Sequence, residues 1–247
     1  MARYQVILAY DGTDFNGFQR QANHANIRTV QGAVESALHS IGWEGQSIKA
    51  AGRTDTGVHA SGQVIAFDFE WNHSTDDLMA AMNANFPHDV SALEVKLAYP
   101  DFHPRFDAVA RCYHYFIYTQ NVRNPLLDRY AWRVYPPVDI NRLRSAAMSI
   151  IGEHDFSAFG TALTMDGSTI RRVFSADWIE KTNGIVFQIK ANAFLYHMVR
   201  RLVSIQVLIG LRKLEPEIMQ ECLMQQDSAL IKGLAPPQGL TLIEVTY

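Results

Sequence analysis

In GQVIAFDFE, Gly62 to Glu70, the side chains alternate: Ile65, Phe67 and Phe69 fall on one face, with Val64, Ala66 and Asp68 on the other. A period of two residues is that of a strand. RYQVILAY, QSIKAA and DVSALEVKLAY read the same way and mark strands on either side of it. Val30, Val34, Leu38 and Ile41 recur at helical spacing behind Thr29, and a second helix is expected after Ser74. The Gly-containing stretch DGTDFNGFQRQANHANI is expected as a loop between the first strand and the first helix. The order is β-α-β-β-α-β, the ferredoxin-like pattern.

The second half repeats that order in different residues. Strand ARCYHYFIYT leads to helix DINRLRSAAMSIIG, strands RRVFSADWIEK and GIVFQIKA, helix NAFLYHMVRRLVSIQVLIG and a last strand LTLIEVTY, with a short helix EPEIMQECLMQ before it. The expected fold class is therefore α+β: two ferredoxin-like domains with antiparallel sheets, residues 1–102 and 103–247, and a central active-site cleft. Pro100 and Pro104 punctuate the joint, YPDFHPRF. In the long helix Phe194, Met198, Leu202, Ile205 and Ile209 make one apolar face and Val199, Val203 and Val207 another, so that helix should be buried nearly all round. Arg200 lies inside it, and a buried arginine requires a partner.

Composition narrows the class. Of 247 residues 48% are apolar and 19% charged, a globular balance that argues against disorder. The apolar run LVSIQVLIGL is about half of what spans a bilayer, and MARYQVILAYDG has the form of neither a signal nor a transit peptide. Cys112 and Cys222 lie far apart with no CxxC partner, as expected of small buried side chains in a reducing compartment. A soluble, cytoplasmic protein with no membrane contact is expected. The net charge of −3 hides a pattern. Residues 1–102 hold 6 Lys and Arg against 12 Asp and Glu (net −6), residues 103–213 hold 15 against 8 (net +7), and residues 214–247 hold 1 against 5 (net −4). The middle of the chain is basic.

The candidate chemistry lies in AGRTDTGVHA, Ala51 to Ala60. Asp55-Thr56-Gly57 is also the tripeptide of aspartic proteases, but those enzymes need two carboxylates sharing a proton, and DTG occurs here once. Arg53 within reach of Asp55 would hold the carboxylate ionised, which suits a nucleophile or an electrostatic stabiliser. A plain turn capped by Asp55 explains less well why arginine, aspartate and histidine crowd one loop between two strands.

AGRTDTGVHASGQV resembles the active-site loop of the tRNA pseudouridine synthase A family, with Thr56 as the one departure from the usual GRTDAGVHA. The resemblance continues through YDGTDFNGFQRQ, TVQGAVESAL, DFHPRFDAVARCYHY, HDFSAF, ANAFLYHMVR and GLTLIEV, in the family's order and over nearly the whole chain. It implies isomerisation of uridine to pseudouridine in the tRNA anticodon stem-loop, at tRNA positions 38 to 40, without metal or small-molecule cofactor, by a homodimer. Asp55 takes the position of the catalytic aspartate, acting on the sugar as nucleophile or stabiliser. Arg200 takes that of the arginine paired with it, and Tyr113 that of the tyrosine stacked on the target base. Arg53 and Arg20 correspond to positions by the active site or the RNA backbone, and Leu240 to a residue packed near the uracil. Phosphate contacts are expected from the basic middle, including Arg105, Arg111, Arg171 and Arg172. Tyr115, Phe116 and Tyr118 are expected in the core, and Arg201 and His197 in the scaffold, while His59 either orients the loop or completes it.

Three other classes compete. A non-catalytic RNA-binding module of paired ferredoxin-like domains lacks the RNP pattern of an RRM. The protease lacks its second carboxylate. A metal-dependent phosphohydrolase built on His88-Asp89 and His154-Asp155 lacks further ligands at helical spacing.

Overall fold

A computed structural model describes residues 1–21, 27–164, 167–226, 231 and 233–247. Residues 22–26 of the loop expected after the first strand lie outside these. The fold is mixed α and β, and the chain divides into two compact units, Met1–Val109 with Thr241–Tyr247, and Ala110–Leu240.

In the first unit the elements run β1 (Ala2–Tyr10), α1 (Val30–Ser40), β2 (Lys49–Ala50), β3 (His59–Phe69), α2 (Thr75–Asn85) and β4 (Val90–Leu97). β1 is flanked by β4 and β3 and pairs antiparallel with both, with Val6 opposite Ile65 and Val95. β2 pairs antiparallel with the middle of β3, and β10 (Leu240–Thr246) pairs in parallel with its start. Both helices begin where the sequence says. Thr29 accepts the Gly32 amide, and Ser74 with Asp77 forms a reciprocal capping box, which satisfies amides the helix cannot. Val6, Leu8, Val34, Leu38, Ile65 and Leu78 form the core.

The second unit runs β5 (Ala110–Tyr118), α3 (Pro125–Asp128), β6 (Trp132–Arg133), α4 (Ile140–Met148), β7 (Gly152–Asp155), β8 (Ile170–Lys181), β9 (Gly184–Ala191), α5 (Met198–Gly210) and α6 (Ile218–Gln225). Its sheet has the order β5-β9-β8-β7, with β6 parallel to β5. Trp178 stacks on Phe187 and donates its indole N–H to Gln206 Oε1 at 2.6 Å, so the sheet is tied to α5 by a buried polar contact as well as by packing. Tyr115 and Tyr118 are buried as expected, whereas Phe116 is half-buried.

α5 departs from expectation at its start. The sequence places it from Asn192; it begins at Met198. The intervening residues are engaged by neighbouring chain. Asn192 N–H donates to Arg172 O and Asn192 Oδ1 accepts from Arg172 N–H and Ala193 N–H, while Tyr196 N–H reaches Thr161 O at 3.0 Å. His197 then turns through φ 66°. From Met198 onward only Arg201 and Leu208 are partly exposed, and the helix is buried nearly all round, as its two apolar faces require. The short elements α3, β6 and β7 were not expected: two to four residues carry too little periodicity to read.

Candidate active site

The Asp55 loop joins β2 to β3 and is built by close contact of backbone with backbone. Residues 11–18 run against it: Phe18 N–H donates to Thr54 O at 3.0 Å and Gly57 N–H to Phe15 O at 3.3 Å, while Val58 N–H closes a turn on Asp55 O at 3.1 Å. A Cβ on Gly12 would stand 2.0 Å from Val58 O, and one on Gly17, at φ +85°, 2.9 Å from Thr54 O and 3.4 Å from Asp55 C. Only glycine admits both approaches. Side chains fix the loop from the sheet side. Tyr10 Oη lies 2.8 Å from Thr54 Oγ1, and Gln63 Nε2 donates to Gly52 O at 3.0 Å. Burial pushes the Tyr10 phenol up to about 12, so it remains a neutral hydrogen-bonding group at any ordinary pH. His59, also buried, accepts Gly12 N–H on Nδ1 at 3.0 Å and so orients the first of the two glycines. The same nitrogen is 3.1 Å from Asp11 Oδ1, which takes the Thr13 amide and hydroxyl.

Behind this layer Arg28 grips Asp89 with two bonds of 2.7 Å and lays its guanidinium 3.9 Å from the Phe15 ring centroid. The Arg28 bonds hold the Asp89 carboxyl below the usual carboxylate range. Asp89 O also receives Asp11 N–H at 3.0 Å. Asp89 is therefore a strut of the loop rather than a metal ligand. Asp155 caps Ser157 N–H at 2.8 Å, and His154 Nε2 meets Ile151 O. No group of three or more His, Cys, Asp or Glu that could hold a metal ion occurs among the described residues.

The expected site residues divide between the units. In the first, Asp55 is half-buried and Arg53 exposed. The Arg53 side chain lies at the surface two residues before Asp55. Arg20 lies 3.1 Å from the buried Glu35 carboxylate of α1. Glu35 also accepts Ile48 N–H and Gln31 Nε2. Arg105 is exposed beside the exposed Phe106 ring.

In the second unit Tyr113 is half-buried on β5 and meets the Phe194 ring edge-on at 5.1 Å. Arg200 is buried, 9% exposed, and donates Nε–H to Ala235 O at 2.7 Å. Leu240 is buried. Arg172 is exposed, whereas Arg171 is half-buried and spends one guanidinium nitrogen on Ser168 O and Ile170 O. Arg111 is buried, with a guanidinium nitrogen 2.8 Å from Asn192 O. Alternation on a strand gives the side of a residue, but which side faces water depends on what the sheet packs against.

Tyr10, Thr54 and Gln63 were missed as residues that shape the site. The one signal for them was that all three stand inside motifs that carry the resemblance, Tyr10 in YDGTDFNGFQRQ and Thr54 and Gln63 in AGRTDTGVHASGQV.

A family model described as tRNA pseudouridine synthase matches residues 6–107 and 146–247. The chain is 39% identical over 249 residues to a tRNA pseudouridine synthase A of Thermotoga petrophila and 40% identical over 249 residues to one of Fervidobacterium nodosum, in each case with 100% of both chains covered. It is 37% identical over 247 residues to one of Coxiella burnetii, covering 100% of this chain and 94% of that protein. With the Asp55 loop and most of the chain matched, this protein belongs to the tRNA pseudouridine synthase A family.

Proposed function

We propose that this protein isomerises uridine to pseudouridine in the anticodon stem-loop of tRNA, at positions 38 to 40, and that Asp55 is the carboxylate that does it. In that reaction the bond from uracil N1 to the ribose breaks, the detached base turns within the site, and C5 bonds to the same sugar carbon. C5 gives up its proton and N1 takes one, so no oxidant, metal or cofactor enters the balance. Asp55 either attacks the sugar carbon or stabilises positive charge on it, as glycosidase carboxylates do. A detached base must not meet water, which calls for a closed site.

The observation that carries this reading is the double glycine cradle. Gly12 and Gly17 let residues 11–18 lie directly on the backbone of Thr54 to Val58, which ties down the loop that carries Asp55. Such fixation is what a group needs if it is to meet one atom of a flipped-out base. On this reading each unit is a ferredoxin-like domain. The first supplies Asp55 and Arg53, and the second supplies Tyr113 to stack on the base, Arg200, and Leu240 beside the uracil. Arg20, Arg105, Arg171 and Arg172 meet RNA phosphates. The enzyme works as a cytoplasmic homodimer, which doubles the basic surface available to one tRNA.

The test is release of tritium from tRNA labelled at uracil C5, with chelator present. Wild type is expected to release the label and Asp55→Asn to release none. Turnover by the Asp55→Asn protein would remove Asp55 from the mechanism. Tight tRNA binding by wild type without release would instead favour the RNA-binding module.

A further inference from the structure

We infer that Phe174 is a stacking platform for an unpaired base of the bound RNA, a contact that rests on the proposed tRNA substrate and extends it to a residue outside the Asp55 site. Phe174 sits on an irregularity of β8. Val173 is opposite Ala191 and Ser175 opposite Lys190, so Phe174 is the extra residue of a β-bulge. The bulge breaks the alternation of the strand: Phe174 and Ser175 are both exposed, between buried Val173 and buried Ala176. A regular strand would send one of two successive side chains inward. The bulge turns an aromatic ring to solvent, where it is 45% exposed.

The ring is bordered by positive charge, on a strand whose backbone is fixed beside it. Arg172, two residues earlier, has its guanidinium 6.0 Å from the Phe174 centroid, at the outer limit of a cation–π contact. The backbone of Arg172 is fixed on both sides by Asn192, which accepts its N–H on Oδ1 at 2.9 Å and gives its own N–H to Arg172 O at 3.0 Å. Lys190 stands across the bulge, in register with Ser175. Glu153 lies opposite Arg172 on β7 and balances part of this charge. An exposed aromatic face beside an arginine suits a base with its phosphate: the base stacks on the ring and the cation meets the backbone. Stacking reads the π-face, which every base has, so the contact holds the RNA without selecting its sequence.

The experiment compares tRNA binding and tritium release for wild type, Phe174→Leu and Phe174→Trp. Leucine keeps apolar bulk and removes the π-face; tryptophan enlarges it. Phe174→Leu is expected to weaken binding about tenfold, the scale of one stacked base. The slope of affinity against salt should stay unchanged, because no charge is removed. Phe174→Trp should bind at least as tightly as wild type, and its added fluorescence should be quenched by tRNA. Wild-type affinity in Phe174→Leu, or unquenched tryptophan, would overturn the inference while leaving the synthase reading intact. Failure of wild type to bind tRNA would overturn both.

Discussion

The loop that carries Asp55 and the strand that carries Arg172 are held by opposite means. Around Asp55, backbone lies on backbone, and the tolerance is set by glycines, one of which would bring an added Cβ within 2.0 Å of a carbonyl oxygen. Along β8, Arg172 and Phe174 stand out from a ladder that is itself fixed, and their side chains reach into solvent. The first arrangement places one atom and admits no adjustment. The second presents charge and a ring to a partner that can adjust to it. On the proposed function, chemistry at a sugar carbon needs the former, and contact with a flexible RNA chain needs the latter.

The comparison breaks most severely at Gly12. Gly12→Ala drives a methyl against Val58 O, so either the 11–18 segment or the Asp55 loop must move. A loss of roughly 3 kcal/mol in unfolding free energy is expected from overpacking of this kind. A displacement of about 1 Å at Asp55 should lower kcat by about 100-fold. Urea unfolding and single-turnover tritium release measure the two. Wild-type kcat in the Gly12→Ala protein would show that the cradle does not position the carboxylate.

Next in size is the strut. Asp89→Asn removes the charge that Arg28 grips, and should cost about 2 kcal/mol, the scale of hydrogen bonds to a charged group. The pH dependence has a definite sign. The folded-state pKa of Asp89 is depressed, so its stabilisation is present above the unfolded carboxyl value of about 4 and is lost as pH falls through the lower folded value. Wild type and Asp89→Asn should therefore converge in stability on acidification below pH ~4. A gap that persists undiminished there would deny the ion pair its role.

How much of this was legible in the sequence follows from the length scale of each feature. The helices starting at Thr29 and Ser74 were readable because caps and apolar periodicity agree within eleven residues. The Asp55 loop was readable as a motif but not as a geometry. Nothing in Gly12 or Gly17 alone states that they face Thr54 to Val58, and the pairing of Tyr10 with Thr54 spans 44 positions. The start of α5 was misread because Asn192 to Tyr196 look helical in isolation, and their backbone is claimed by Arg172 and Thr161. The burial of Arg111 was not legible either, since the Asn192 carbonyl it meets lies 81 positions away.

A smaller effect tests the sheet-side clamp of the loop. Tyr10→Phe removes one buried hydroxyl from Thr54 and should cost about 1 kcal/mol. The Tyr10 pKa is raised, to about 12, so folding favours its neutral form. That contribution is intact below the ordinary phenol value of about 10 and is lost as pH rises from there toward 12. In alkaline unfolding, wild type should lose stability across this interval by more than Tyr10→Phe does. Parallel curves would mean the phenol is not protected by burial.

The least disruptive change concerns the side chain most open to solvent. Arg172→Ala removes a guanidinium whose backbone bonds to Asn192 remain, so unfolding should shift by no more than about 0.5 kcal/mol. If Arg172 meets a phosphate, tRNA affinity falls severalfold at ~0.1 M salt and the slope of log affinity against log salt drops by about one. Arg111→Met supplies the contrast. Its guanidinium is buried on Asn192 O, so the change should lower stability and leave the salt slope as it was. Two arginines of the same basic segment would then separate cleanly, one read by salt and the other by urea. An unchanged slope in Arg172→Ala would transfer the phosphate contact to other cations of the segment and leave β8 with the Phe174 ring alone.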